Sequence, residues 1–147
     1  MNNSILRRLR DMPQFEVADR DPDPRGWPVR GGDGQRFGTV YELIVEPDAL
    51  KVRYLDVELN SDFRLAEHER HILLPIGVAA LDAEADNVFV PALSLSNVLA
   101  YPRYVELQIT RDYEQAMLQA LNLPIAPEAA FYDQPSHDAE EFYRNRR

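Results

Sequence analysis

Two runs of strict alternation constrain this chain more than any other feature. From Gln35 to Glu46, the residues Phe37, Thr39, Tyr41, Leu43 and Val45 share one face at period two. From Lys51 to Leu59, Leu55, Val57 and Leu59 oppose Tyr54, Asp56 and Glu58. Successive side chains of a strand point to opposite sides, so this period predicts two strands, each with one face on a core and one in water. Pro47-Asp48 begins the turn between them. Gly38 interrupts the second face of the first run, where a bulge or sharp bend is the usual reason for glycine.

Shorter pieces extend the pattern. Trp27-Pro28-Val29-Arg30 reads as a first strand, followed by the tight turn Gly31-Gly32-Asp33-Gly34. Asn60 to Glu69 is polar and turn-like, and Ile72-Leu73-Leu74-Pro75-Ile76 is an apolar strand whose proline confines it to an edge or a bend. After a polar turn over Asp82 to Asn87, Val88-Phe89-Val90 closes the series. Short strands at turn spacing argue for a small barrel or sandwich.

The flanks differ. Residues 1–25 end in Asp19-Arg20-Asp21-Pro22-Asp23-Pro24, which cannot continue a helix and predicts an extended arm. In residues 93–147, Ser94 or Ser96 can cap a short helix reaching Leu99. Thr110 can cap a second over Arg111 to Leu121, with Tyr113, Met117, Leu118 and Leu121 on one stripe and Pro124 and Pro127 ending it. The tail carries two aromatic pairs, Phe131-Tyr132 and Phe142-Tyr143. These either pack back on their own domain or dock into a neighbouring subunit. The expectation is a mainly β chain with short C-terminal helices, divided into an arm (1–25), a small partly open barrel (26–92) and a helical and aromatic extension (93–147).

Composition narrows the function. The 147 residues hold no cysteine, hence no disulfide framework, thiolate metal site or thiol nucleophile. No apolar run approaches the roughly 20 residues that span a bilayer, and the arginines near the start precede no apolar segment of a signal peptide. A soluble, cytoplasmic protein without a transmembrane anchor is expected. The net charge is −9, and no stretch of the chain is strongly basic, which argues against direct nucleic-acid binding.

Candidate chemistry is sparse. Glu67-His68-Glu69-Arg70-His71 resembles a zinc-protease pattern, but its histidines stand at i and i+3 ahead of a strand rather than at i and i+4 on a helix. It reads as a solvated loop, with metal binding or an enzyme site using Glu67, His68 and His71 as the alternative. The glycine-rich turn 31–34 lacks the Lys-Ser/Thr and the helix of a phosphate loop. Asp56 and Glu58 read as solvent-facing polarity rather than an acid/base pair. His137 reads as exposed, and Ser94 and Ser96 stand in no nucleophile elbow. No catalytic, cofactor-binding or metal-ligating residue is assigned, no cofactor is expected, and the chain is read as a non-enzyme.

One succession of pieces is more specific than any of them alone. It runs Gly26-Trp27-Pro28-Val29, Asp33-Gly34, Arg36-Phe37-Gly38-Thr39-Val40, Val45-Glu46-Pro47-Asp48, Val52 to Leu59 and Leu73-Leu74-Pro75-Ile76-Gly77. Over about residues 26 to 92 it resembles the PRC-barrel family, the module shared by the cytoplasmic part of the photosynthetic reaction-centre H subunit and the ribosome maturation factor RimM. The continuation through Val88-Phe89-Val90-Pro91, Tyr101-Pro102 and Thr110 to Glu114 is similar to the H-subunit branch. The resemblance implies a free-standing bacterial relative, a partly open barrel that binds a protein partner and performs no chemistry. An open barrel leaves strand edges to cover, so a homo-oligomer is expected. A ribosome-associated role by analogy with RimM is the further alternative.

Overall fold

The longer alternating run becomes the spine of the sheet. In the computed structural model, which describes residues 6–12, 22–82, 84–105, 109–124 and 128–144, seven strands form one sheet. They are β1 (Arg7–Arg8), β2 (Pro28–Gly31), β3 (Arg36–Glu46), β4 (Lys51–Leu59), β5 (His71–Pro75), β6 (Ala80–Asp82) and β7 (Asn87–Val90). The order is β5-β4-β3-β2-β7-β6, with every pairing antiparallel except β2 with β7. At eleven residues β3 is long enough to need three neighbours. β4 runs along one side, while β2 covers the first part of the other side and β1 pairs with Ile44 and Val45. Part of the expected arm is therefore a strand of the sheet, too short to show a period of its own. Residues 13–21 of that arm lie outside the described residues, and Pro22, Asp23 and Pro24 lead into the sheet without helical or strand structure.

The register explains where alternation fails. Val40 faces Val57 and Glu42 faces Asp56, so Tyr41 is an extra residue bulged out of β3. It is 43% exposed, while Glu42, Leu43, Ile44 and Val45 are all buried. The single-face reading of β3 through Tyr41 is corrected accordingly, because a bulge shifts the phase by one. A second slip sits opposite, where Ile44 faces Tyr54 and Val45 faces Val52. The irregularity foreseen at Gly38 falls beside it, between its partner Val29 and Arg30. A Cβ on Gly38 would lie 2.6 Å from Val57 Cγ1 and 2.7 Å from the Glu58 carbonyl, so glycine here also admits β4.

β4 departs furthest from expectation. Val52 to Val57 are all buried, Tyr54 and Asp56 included. The face expected in water is covered by the C-terminal extension, so Asp56 is not solvent-facing polarity. That extension contains α1 (Arg111–Ala120) and α2 (Ala139–Arg144). The Thr110 side chain accepts the Tyr113 N–H at 3.2 Å, as an N-cap does. Asn122, at φ 59°, and the Leu123 N–H to Leu118 C=O bond end the helix before Pro124. The serine-capped helix is instead a 3-10 turn, Val98–Ala100, without a side-chain cap.

The tail lies across the same domain. Phe131 and Phe142 are fully buried on their own chain, with Tyr132 and Tyr143 packed against the core. Helix α2 packs on β6 and on the turn Ile76–Val78. At Gly77 an added Cβ would meet the Pro135 carbonyl at 1.8 Å, so only glycine lets the tail come this close. The other end of the sheet is blunted as well. On the outer side of β5 the His71 carbonyl accepts the Tyr104 N–H at 2.7 Å, and the Leu73 carbonyl accepts the Tyr101 hydroxyl at 2.7 Å. A bare strand edge would template association. Here residues 101–104 occupy it. Among the described residues no helix is long and apolar enough to cross a membrane.

Candidate functional site

Three polar arrangements stand out, two buried and one open. The first joins the tail to β4. Glu114 on α1 is buried, and its Oε2 accepts the Tyr54 hydroxyl at 2.8 Å and the Tyr132 hydroxyl at 2.5 Å. Its Oε1 accepts Arg111 Nη1 at 2.7 Å. Since the Tyr54 proton is given to Glu114, Tyr54 can only accept from His137 Nε2, 2.8 Å away. The ring is then the neutral Nε2–H tautomer, with Nδ1 accepting from Ser136 Oγ at 3.0 Å. Arg53 Nη1 completes the cluster by donating to the His137 carbonyl at 2.8 Å, and the Arg111 guanidinium lies 3.9 Å from the centre of the Phe131 ring.

Burial sets the protonation of this cluster. Loss of water, then the neighbouring Arg53 and Arg111 cations, push His137 down to about 3, so the ring is neutral at physiological pH. Burial also raises Glu114, against the pull of its tyrosine donors and Arg111. Tyr54 is raised well above its ordinary value by burial and then by the Glu114 charge. His137, read from sequence as exposed, is completely buried. Its neighbours in sequence are polar, and only the fold, which brings residues 128–144 onto β4, could place it there.

The second arrangement links the N-terminal segment to the sheet. Glu42 and Asp56 are register partners on β3 and β4, and both are buried. Arg10 Nε meets Glu42 Oε1 at 2.5 Å, and Arg25 Nη1 meets Oε2 at 3.4 Å. Asp56 Oδ1 lies 2.7 Å from His71 Nδ1. The Tyr41 ring stands edge-on to His71, with centroids 4.8 Å apart, and Arg10 lies over Tyr41. The bond to Asp56 raises His71, and burial raises Asp56, more than His71 lowers it. His71 is a quarter exposed, so solvent reaches its ring while Asp56 stays buried.

The residues of the metal alternative are placed apart. His71 begins β5 and turns to Asp56, whereas Glu67 and His68 sit on the exposed turn Glu67–Glu69. Among the described residues no group of three His, Asp or Glu side chains could hold a metal ion. The run read as one solvated loop is thus divided: Glu67 and His68 stay on an exposed turn, while His71 belongs to a strand and bonds to buried Asp56. Ser94 and Ser96 bond to each other at an exposed loop, where Asp33 accepts the Leu95 N–H between them.

The third arrangement is a cleft of about 650 Å³ at the end of the sheet where β2, the start of β3 and the close of β4 meet the loop leading to β5. Arg30, Arg36, Arg64 and Arg70 line it. No local run of basic residues marks it in the sequence, because its cations come from four separate places in the chain.

A model of the PRC-barrel domain matches residues 16–96, more than half of the 147-residue chain. The matched span contains the ordered pieces of β2 through β7 and the three sheet positions, Glu42, Tyr54 and Asp56, on which the buried polar clusters are built. With that match on this strand order, the chain belongs to the PRC-barrel domain family.

Proposed function

We propose that the protein is a non-catalytic, protein-binding or self-assembling module that works in the cytoplasm and does not contact nucleic acid directly. One observation carries this reading: the titratable groups held inside the fold are turned onto partners of the same chain. Glu114 is engaged by three donors, Glu42 by two arginines, Asp56 by His71 and His137 by Tyr54 and Ser136. Groups spent in this way anchor segments and are not poised for proton transfer to a substrate. Membership of the PRC-barrel family supports the same reading.

The closed sheet edges direct attention to the outer side chains. A partner, or a second copy in a homo-oligomer, would meet exposed apolar residues such as Tyr41, Leu95 and Leu99. Large side chains of this kind anchor interfaces when a partner takes them out of water. The test combines multi-angle light scattering over a wide concentration range with quantitative capture from native lysate. Wild type is compared with a variant carrying Ser at positions 41, 95 and 99. A dimer or larger species, or a captured protein lost in the variant, is expected. A monomer at every concentration, with no captured protein that depends on this surface, would overturn the reading.

A further inference from the structure

The open cleft gathers four of the arginines that form no ion pair among the described residues; Arg7 and Arg103, elsewhere, form none either. Arg8, Arg10, Arg25, Arg53 and Arg111 each form an ion pair with a carboxylate. Among the described residues, Arg30, Arg36, Arg64 and Arg70 form none, although the chain has 25 acidic residues. Three of these four are fixed by neutral acceptors. Arg30 donates to Asn87 Oδ1 at 3.1 Å and to the Gly34 carbonyl at 3.1 Å. Arg36 donates to the Gly38 carbonyl and to Thr39 Oγ1, and Arg70 Nε to the Leu65 carbonyl. Neutral acceptors orient a guanidinium without cancelling its charge, and each fork keeps N–H groups to spare.

We propose that this cleft is a binding site for a small phosphate monoester. Four guanidiniums against the carboxylates of Glu58 and Asp62 leave the cleft with an excess of two positive charges, matching the charge of a phosphate monoester near neutral pH. Guanidinium forks fit phosphate oxygens two at a time. Gln35, Thr39 and Ser61 on the same wall add neutral hydrogen-bonding groups, suited to hydroxyls on the ester. The size is that of an ordinary small-ligand pocket, roughly 300–1,000 Å³. No aromatic ring lines it, so it offers no platform for a nucleobase. A polyanion is disfavoured by the net charge of −9 on the whole chain, which repels a long phosphate chain while a short dianion meets only the cleft.

Arg64 is the cleanest probe. It is exposed, its side chain makes no hydrogen bond or ion pair among the described residues, and it sits at φ 55°, a conformation asparagine tolerates well. The experiment is calorimetric titration of the full chain with glycerol phosphate, inorganic phosphate, succinate and a short single-stranded RNA, all at one ionic strength. Saturable one-to-one binding of glycerol phosphate is expected. Arg64→Asn and Arg70→Gln should each weaken it about tenfold, the scale of one charge-assisted hydrogen bond, while Lys51→Ala leaves it unchanged. Weaker binding of inorganic phosphate would show that the ester's hydroxyls are read as well as its charge. Failure of glycerol phosphate to bind would overturn the proposal, as would equal loss in Lys51→Ala, or tighter binding of succinate or the RNA. None of these outcomes bears on the oligomeric state, so this site and the proposed assembly role stand or fall separately.

Discussion

Acidification should loosen this protein through one ring. His137 is neutral in the fold, held down to about 3 chiefly by burial, against 6.5 for a free histidine. Between those two values the unfolded chain binds a proton that the native state refuses, so stability is full above pH 6.5 and falls as pH drops toward 3. The slope approaches about 1.4 kcal/mol per pH unit for one proton. From pH 7.5 to pH 5 the loss is about 2 kcal/mol, a large fraction of a stability of roughly 5–15 kcal/mol. Other groups titrate in the same window, and burial of Asp56 and Glu114 acts in the opposite sense, so the wild-type curve alone is not diagnostic. The comparison is with His137→Gln, which keeps a polar side chain and cannot titrate. Urea unfolding followed by far-UV circular dichroism gives both stabilities. At pH 7.5 the variant should be less stable by about 1 kcal/mol, the scale of a lost hydrogen bond. At pH 5 the gap should close or reverse, having moved by about 2 kcal/mol. A gap of equal size at both pH values would refute the account of a neutral, buried ring.

The remaining predictions concern the joints between segments. Glu114→Ala leaves Arg111 and two tyrosine hydroxyls without their buried acceptor, and should cost about 3 kcal/mol in urea unfolding. Gly77→Ala drives a methyl into the Pro135 carbonyl, so limited proteolysis should release the tail at a protease level that leaves wild type intact. Phe142→Ala empties a fully buried position and should cost about 3–5 kcal/mol by the same unfolding assay. His71 is raised by Asp56, so its contribution is full below pH 6.5 and is lost as pH rises through the higher folded value. Substituting His71→Gln should therefore flatten the fall in stability on the alkaline side of pH 6.5, and an unchanged slope there would count against the pair.

How much of this was legible from the residues depends on the range of the interaction. That β3 and β4 are strands is legible from their period-two stretches, but the continuous burial of Val52 to Val57 is not, because it depends on what packs on the second face. Thr110 as a helix cap needs only three positions of context, and it is found where the sequence places it. β1 and β6 are two and three residues long, below the length at which a period can be read, and they become strands only because a neighbour is there to pair. Tyr41 misled the reading of β3 because a bulge is decided by the partner strand. The expected exposure of Asp56 follows from its period-two face with Tyr54 and Glu58, and that of His137 from its polar neighbours, while their actual surroundings arrive from β5, α1 and the tail. The arginine cleft draws on positions 30, 36, 64 and 70 and leaves no local signal at all.

The central claim, that this PRC-barrel domain acts through association with another protein or with itself, is tested most directly by fluorescence-detected sedimentation velocity. The labelled full chain is run both alone over a concentration series and as a tracer in concentrated native lysate. A species sedimenting faster than the 16.9 kDa chain is predicted in at least one of the two, and it should diminish when unlabelled protein competes for the partner in lysate. A single boundary at the monomer value under every condition would contradict the claim.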